Sequence, residues 1–269
     1  MKVEKDEFYL KSNLFVPDIS FRHIRVRVGN KFIGSNVRFG SSDKLKKWLH
    51  KIQPDDVYFT VGKWMNPELF HGRQKYPGWH KSRRIMIGCD FVVDIDVRPD
   101  GRIKTWMEAS KNMKLAGEIL GSMGYKNIVY VNSGRGYHVY VLDYWDKIKG
   151  IISNVHYMDR PSVVRNDMIR VCRMLNASGV IFDEAVSCDP FRVVRVWGSR
   201  HNSGNLCYSY SVADLVRVSK SSVNASSWKL DGVMTESLSK SRARGARTLN
   251  GVSGGTDTCL ARDYIHEVI

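Results

Sequence analysis

Two hydrophobic rhythms alternate along this chain. Residues 8–39 interleave short apolar runs with Arg22, Arg25, Arg27, Lys31 and Arg38, a pattern that predicts two or three strands. Ser41 is a helix-capping residue type, and Leu45, Trp48, Leu49 and Ile52 follow it at three- and four-residue spacing, which predicts a helix. A short strand is predicted over 57–61 and a loop over 66–84, where Pro67, Gly72, Pro77 and Gly78 fall among basic residues. Residues 91–97 form an apolar strand interrupted by two acids. A helix is predicted over 106–123, with Leu115, Ile119, Leu120 and Met123 as its stripe and Gly124 as its stop. Strands at 128–131 and 138–142 flank Ser133-Gly134-Arg135-Gly136. A helix over 162–176 turns Met168, Val171, Cys172 and Leu175 inward, and strands follow at 191–196 and 206–210. This order predicts an α+β fold, with a mixed or antiparallel sheet flanked by helices.

Composition separates a folded domain, expected over 1–218, from a Ser-, Gly- and Arg-rich stretch over 219–269. That stretch is expected to be a flexible tail, its Lys240, Arg242, Arg244 and Arg247 adding nonspecific affinity for DNA. A hydrophobic fraction of 43% and a charged fraction of 26% exclude wholesale disorder. Lysine and arginine number 42 against 27 acids, a formal charge of +15 that suggests a polyanionic partner, nucleic acid above all. General solubility is the bland alternative. No apolar run approaches the ~20 residues of a membrane span, and residues 1–6 lack an apolar leader, so a soluble cytoplasmic protein with no membrane partner is expected. The cysteines at 89, 172, 188, 207 and 259 form no C-x-x-C pair and read as reduced thiols, Cys89 and Cys172 in the core.

Three segments carry candidate chemistry. In a strand, residues two apart share a face, so Asp94 and Asp96 project together while Val93, Ile95 and Val97 face the core. A divalent cation relieves the repulsion of paired carboxylates, and hard oxygen ligands favour Mg²⁺ or Mn²⁺. A solvated edge strand is the plainer reading. The turn at 132–138, Asn-Ser-Gly-Arg-Gly-Tyr-His, combines close backbone approach at its glycines with Ser, Arg and His donors. It suits a triphosphate, or is simply a structural turn. Finally, Phe182-Asp183-Glu184-Ala185-Val186 precedes a strand ending at Arg195 and a Gly-Ser turn reaching His201. A carboxylate there can complete a metal site, with Asp183 and Asp189 both eligible, while Arg195 and His201 can hold phosphate oxygens. A salt-bridged loop and strand would read the same way.

Taken in this order, the three segments resemble the motifs of the archaeo-eukaryotic primase superfamily, most closely the small catalytic subunit of archaeal and eukaryotic DNA primase. Val57-Tyr58-Phe59-Thr60, Asn66-Pro67 and Trp79 are similar to that family's approach to its first motif, and the likeness runs over residues 38–210. It implies a primase-polymerase core with metal-binding acids at Asp94, Asp96 and Asp183. Nucleotide contacts would come from Ser133, Arg135, His138, Arg195 and His201, and also from Arg38. Asn132 competes with Ser133 for the serine's place, and no cysteine cluster matches the zinc element common in that family. The implied activity is primer synthesis on single-stranded DNA from nucleoside triphosphates in DNA replication, with Mg²⁺ or Mn²⁺ as cofactor and a primase large subunit as an optional partner. The alternatives are a primer-extending repair or translesion polymerase of the same superfamily, and a non-catalytic nucleic-acid-binding protein.

Overall fold

The computed structural model describes residues 6–70, 84–202 and 204–210. The tail, the boundary at 218/219 and most of the basic loop predicted over 66–84 lie outside them. The fold is α+β, built on antiparallel sheets. Strands β1 (Ile24–Val28), β2 (Lys31–Gly34), β3 (Asp56–Thr60) and β9 (Val193–Arg195) form one four-stranded sheet in the order β2-β1-β3-β9. Strands β6 (Phe91–Asp96), β7 (Ile128–Asn132), β8 (Gly136–Val141) and β10 (Tyr208–Tyr210) form a second, ordered β10-β7-β8-β6. A two-stranded ribbon pairs β4 (Gly62–Trp64) with β5 (Met86–Cys89).

Residues 8–11, expected to be extended, are instead a helical turn, α1 (Phe8–Lys11). The Asp6 carboxylate accepts the Phe8 N–H at 2.8 Å, a local bond that favours a helix start over a strand. Ser41 Oγ accepts the Lys44 N–H at 3.3 Å and caps α2 (Ser42–Ile52), which buries Leu45 and Leu49 as the spacing predicts. Helix α3 (Trp106–Ser122) opens on a reciprocal capping box between Thr105 and Glu108. Its buried stripe is Ala109, Met113, Ala116, Gly117 and Leu120, so of the predicted stripe only Leu120 is fully buried. At Gly117 the Tyr130 side chain lies so close over the helix that a Cβ would strike its hydroxyl. Helix α4 (Tyr144–Ile152), which the pattern did not suggest, buries Tyr144, Ile148 and Ile152 at four-residue spacing. Helix α5 (Arg160–Ala177) buries Met168, Val171, Cys172 and Leu175 as expected.

The acid-bearing strand β6 is covered on both faces. Cross-strand partners share a face, so the register places Val93, Val139 and Tyr130 together, on the side where α3 packs. Asp94, His138 and Tyr140 take the other side, where Tyr140 stacks on Phe59 of β3 at 6.4 Å and meets Trp197 edge-on at 5.1 Å. A buried Arg22–Asp90 ion pair adds a polar tie, its guanidinium also donating to the Pro17 and Thr60 carbonyls at 3.0 and 3.1 Å. Gly117→Val should cost about 1–3 kcal/mol by forcing Tyr130 off its seat. Chemical denaturation checks this, and an unchanged midpoint would contradict the packing.

Candidate functional site

The site begins with a register. Asp94 pairs across to His138, and Asp96 to Gly136, at the open end of the β6–β8 ladder. Gly136 allows the close approach there: a Cβ would strike the Ile95 carbonyl and come within 2.9 Å of the Asp96 Cα. The turn from β7 to β8 is held by Ser133 N–H to the Gly136 carbonyl at 3.0 Å and by Gly134 N–H to Asn132 Oδ1 at 2.8 Å. Gly134 itself takes φ +89°, a conformation that disfavours any side chain. From outside, Asn205 Nδ2 donates to the Gly134 carbonyl at 2.8 Å.

The third acid arrives through the backbone. Asp183 N–H donates to the Asp94 carbonyl at 2.7 Å, and Asp94 N–H donates to Ser187 Oγ at 3.1 Å. The short helix α6 (Glu184–Ser187), capped by Asp183 through the Val186 N–H at 3.1 Å, thereby covers the free edge of β6. Asp189, the other candidate, accepts the Phe191 N–H at 2.9 Å and bonds within its own loop.

Cations answer these carboxylates. Arg98 Nη2 lies 2.9 Å from Asp96 Oδ2 and 3.5 Å from Asp183 Oδ2, so one guanidinium nitrogen bridges two acids. Arg135 Nη2 also reaches Asp96 Oδ2. Burial pushes the Asp96 carboxyl up, but bonds and charge from Arg135 and Arg98 outweigh it and hold the group below the ordinary carboxylate range. His138 Nε2 stands 3.2 Å from Asp94 Oδ1 without hydrogen-bond alignment, and this buried oxygen has no hydrogen-bond partner among the described residues. The Ser133 hydroxyl is likewise buried and unpartnered. Among the described residues no three His, Cys, Asp or Glu side chains close around one point as metal ligands do. The oxygen donors suit a hard divalent ion, and holding one there requires Asp96 to turn from its arginines.

Arg195 belongs to β9 of the other sheet, and His201 lies in the loop that follows it. Arg195 is buried, ion-paired with Asp56, and its guanidinium lies 5.0 Å over the Tyr58 ring. His201 packs on the turn, its Cβ 3.1 Å from where a Gly134 side chain would start, and its N–H donates to the Asn205 carbonyl at 2.7 Å. Burial pushes the His201 pKa down; Arg195 and then Arg135 and Arg27 lower it further, opposed by Asp56. Arg38 stands elsewhere: it is exposed and bonds the Met65 carbonyl, with Glu68 at 3.4 Å. A surface hollow lined by Asp6, Phe8, Lys11 and Arg200 contains none of the predicted site residues.

Sequence reasoning passed over Arg98 and Asp56. Arg98 follows Asp94 and Asp96 at the same two-residue interval, a signal that was available. Asp56 lies 139 positions from Arg195, and only the β3–β9 pairing brings the two together.

No protein-family profile matches this chain, and no curated protein does. Among solved structures, it is similar to the polymerase domain from Mycobacterium tuberculosis Ligase D in complex with DNA. The TM-score is 0.48 and the identity 12%, over 78% of this chain and 80% of that one. No helix among the described residues is long and apolar enough to cross a membrane.

By NMR, His201 should titrate below the ordinary 6.5. Arg195→Ala and Arg135→Ala should each move it up, because each removes a positive charge that opposes protonation. A value that neither variant moves would contradict the placement of these arginines around the imidazole.

Proposed function

We propose that this chain is a template-directed nucleotidyltransferase, acting as a DNA primase on single-stranded DNA with nucleoside triphosphates. One observation carries the proposal: Asp94, Asp96 and Asp183 are gathered at the end of β6, one carboxylate oxygen buried with no hydrogen-bond partner among the described residues, beside Arg135 and His138. Simple binding of a polyanion needs cations, and clustered carboxylates oppose it. Nucleotidyl transfer needs both.

In this reading the three aspartates hold Mg²⁺ or Mn²⁺, which when bound neutralises charge on the triphosphate and activates the attacking 3′-hydroxyl. Arg135, His138, Arg195 and His201 orient the triphosphate through charge-assisted bonds, with Ser133 as a further donor. Neutral His201 donates or accepts one bond without adding to the crowd of arginine charges. Arg98 keeps the carboxylates paired while the site is empty of nucleotide. A primase large subunit and a place in the primosome belong to the same proposal. A primer-extending repair polymerase would use the same residues.

The test is nucleotide incorporation on single-stranded DNA, unprimed and primed, with ribo- and deoxynucleotide pools supplied separately. Synthesis without a primer is expected; extension of primers alone would replace primase by the repair-polymerase reading. Asp96→Asn should lower incorporation more than about 100-fold, since the ion's share of the barrier is several kcal/mol. Its DNA binding should hold or tighten, because a negative charge is lost. Undiminished incorporation by that variant, or none by the parent chain on either template, would overturn the proposal.

A further inference from the structure

Apart from Arg195, the outward face of the first sheet carries a basic and aromatic surface that the catalytic reading leaves unused. Antiparallel register fixes which residues share it. Gly34, Arg25, Tyr58 and Arg195 pair across all four strands in one row, and Phe32, Arg27 and Asp56 pair in the next. The opposite face of the sheet is apolar and buried, with Ile24, Val26, Val57 and Phe59 in the core.

On the outward face, Phe32 is 54% exposed, unusual for a large aromatic on a strand. Its ring lies 6.0 Å from that of Tyr58, and the Arg25 guanidinium covers it at 5.3 Å. Arg195 covers Tyr58 in the same manner. Two rings are thus each layered with an arginine. The acids nearby are committed: Asp56 to Arg27 and Arg195, and Asp55 to the Gly29 N–H at 2.6 Å. Arg25 has no carboxylate within ion-pair distance among the described residues.

This face is continuous with the candidate site. From Phe32 the contacts run to Tyr58 and Arg195, then to Asp56, which accepts the Asn202 N–H at 3.1 Å, and so to the adjacent His201, which packs on the Gly134 turn next to Arg135. An exposed ring beside a half-buried one, each layered with arginine, suits a flexible polyanion with flat bases, since every base has a stacking face and every linkage a phosphate. Duplex DNA hides its bases and offers Phe32 nothing to stack on.

We infer that the outer face of this sheet is a single-stranded DNA platform, on which Phe32 and Tyr58 stack bases while Arg25 pairs with phosphate. That the strand is the template leading to the carboxylates rests on the nucleotidyltransferase reading; the binding itself does not.

Fluorescence anisotropy of a labelled oligo-dT with the full chain, without metal or nucleotide, tests it. Phe32→Ala should weaken binding about 5- to 150-fold, the loss expected for one stacked base. Phe32→Trp should keep the affinity and Phe32→Leu should not, a split that mere apolar packing would not produce. Arg25→Ala should make the salt dependence shallower by about 0.7 in log–log slope, one phosphate's worth on a single strand. Wild-type affinity in Phe32→Ala together with an unchanged slope in Arg25→Ala overturns the platform, even if the chain incorporates nucleotide. Binding through Phe32 by a chain that incorporates none upholds the platform and overturns only the catalytic reading.

Discussion

The pairing of arginine with carboxylate at the end of β6 is the interaction on which the candidate site depends. Asp94 and Asp96 share one face of a strand that is covered on both, and Asp183 is drawn in by a backbone bond from its N–H to the Asp94 carbonyl. Arg98 spans two of them and Arg135 reaches the middle one, which keeps Asp96 ionised against the pull of its own burial. Those arginines supply in the resting chain the charge that a bound cation would supply in its place.

The two sheets divide the work. The second presents acids on β6 and the turn that leads into β8; the first brings Arg195, held by Asp56 and Tyr58. The join is aromatic, Phe59 on Tyr140 and Tyr140 on Trp197, with the buried Arg22–Asp90 ion pair beside it. Asn205 and His201 finish the junction by bracing the Gly134 turn from outside. A chain of contacts then leads from the carboxylates to an exposed ring, Phe32.

Local features were legible in the sequence and distant ones were not. The shared face of Asp94 and Asp96 follows from strand geometry, and the Ser41 cap and the inner stripe of α5 follow from spacing alone. The buried stripe of α3 is set one step round from its Leu115 and Ile119, on Met113, Ala116, Gly117 and Leu120, with Gly117 directly under Tyr130 of another strand. Periodicity within a segment carries no record of its partner. For the same reason the bond from Asp183 to Asp94 and the pair of Arg195 with Asp56 had no local signature. The division into two sheets joined by aromatic contacts is a tertiary fact of that kind. Arg98 differs, since its place in the two-residue rhythm was open to view.

Binding of Mn²⁺ to the full chain, followed by EPR of the free ion without nucleotide or DNA, tests the central claim most directly. If the acids form a cation site that arginine neutralises at rest, the parent chain binds Mn²⁺, Asp96→Asn and Asp183→Asn bind it more weakly, and Arg98→Ala binds it more tightly because a competing charge is gone. Binding that none of the three substitutions alters, or no binding by the parent chain and by Arg98→Ala alike, would contradict the account.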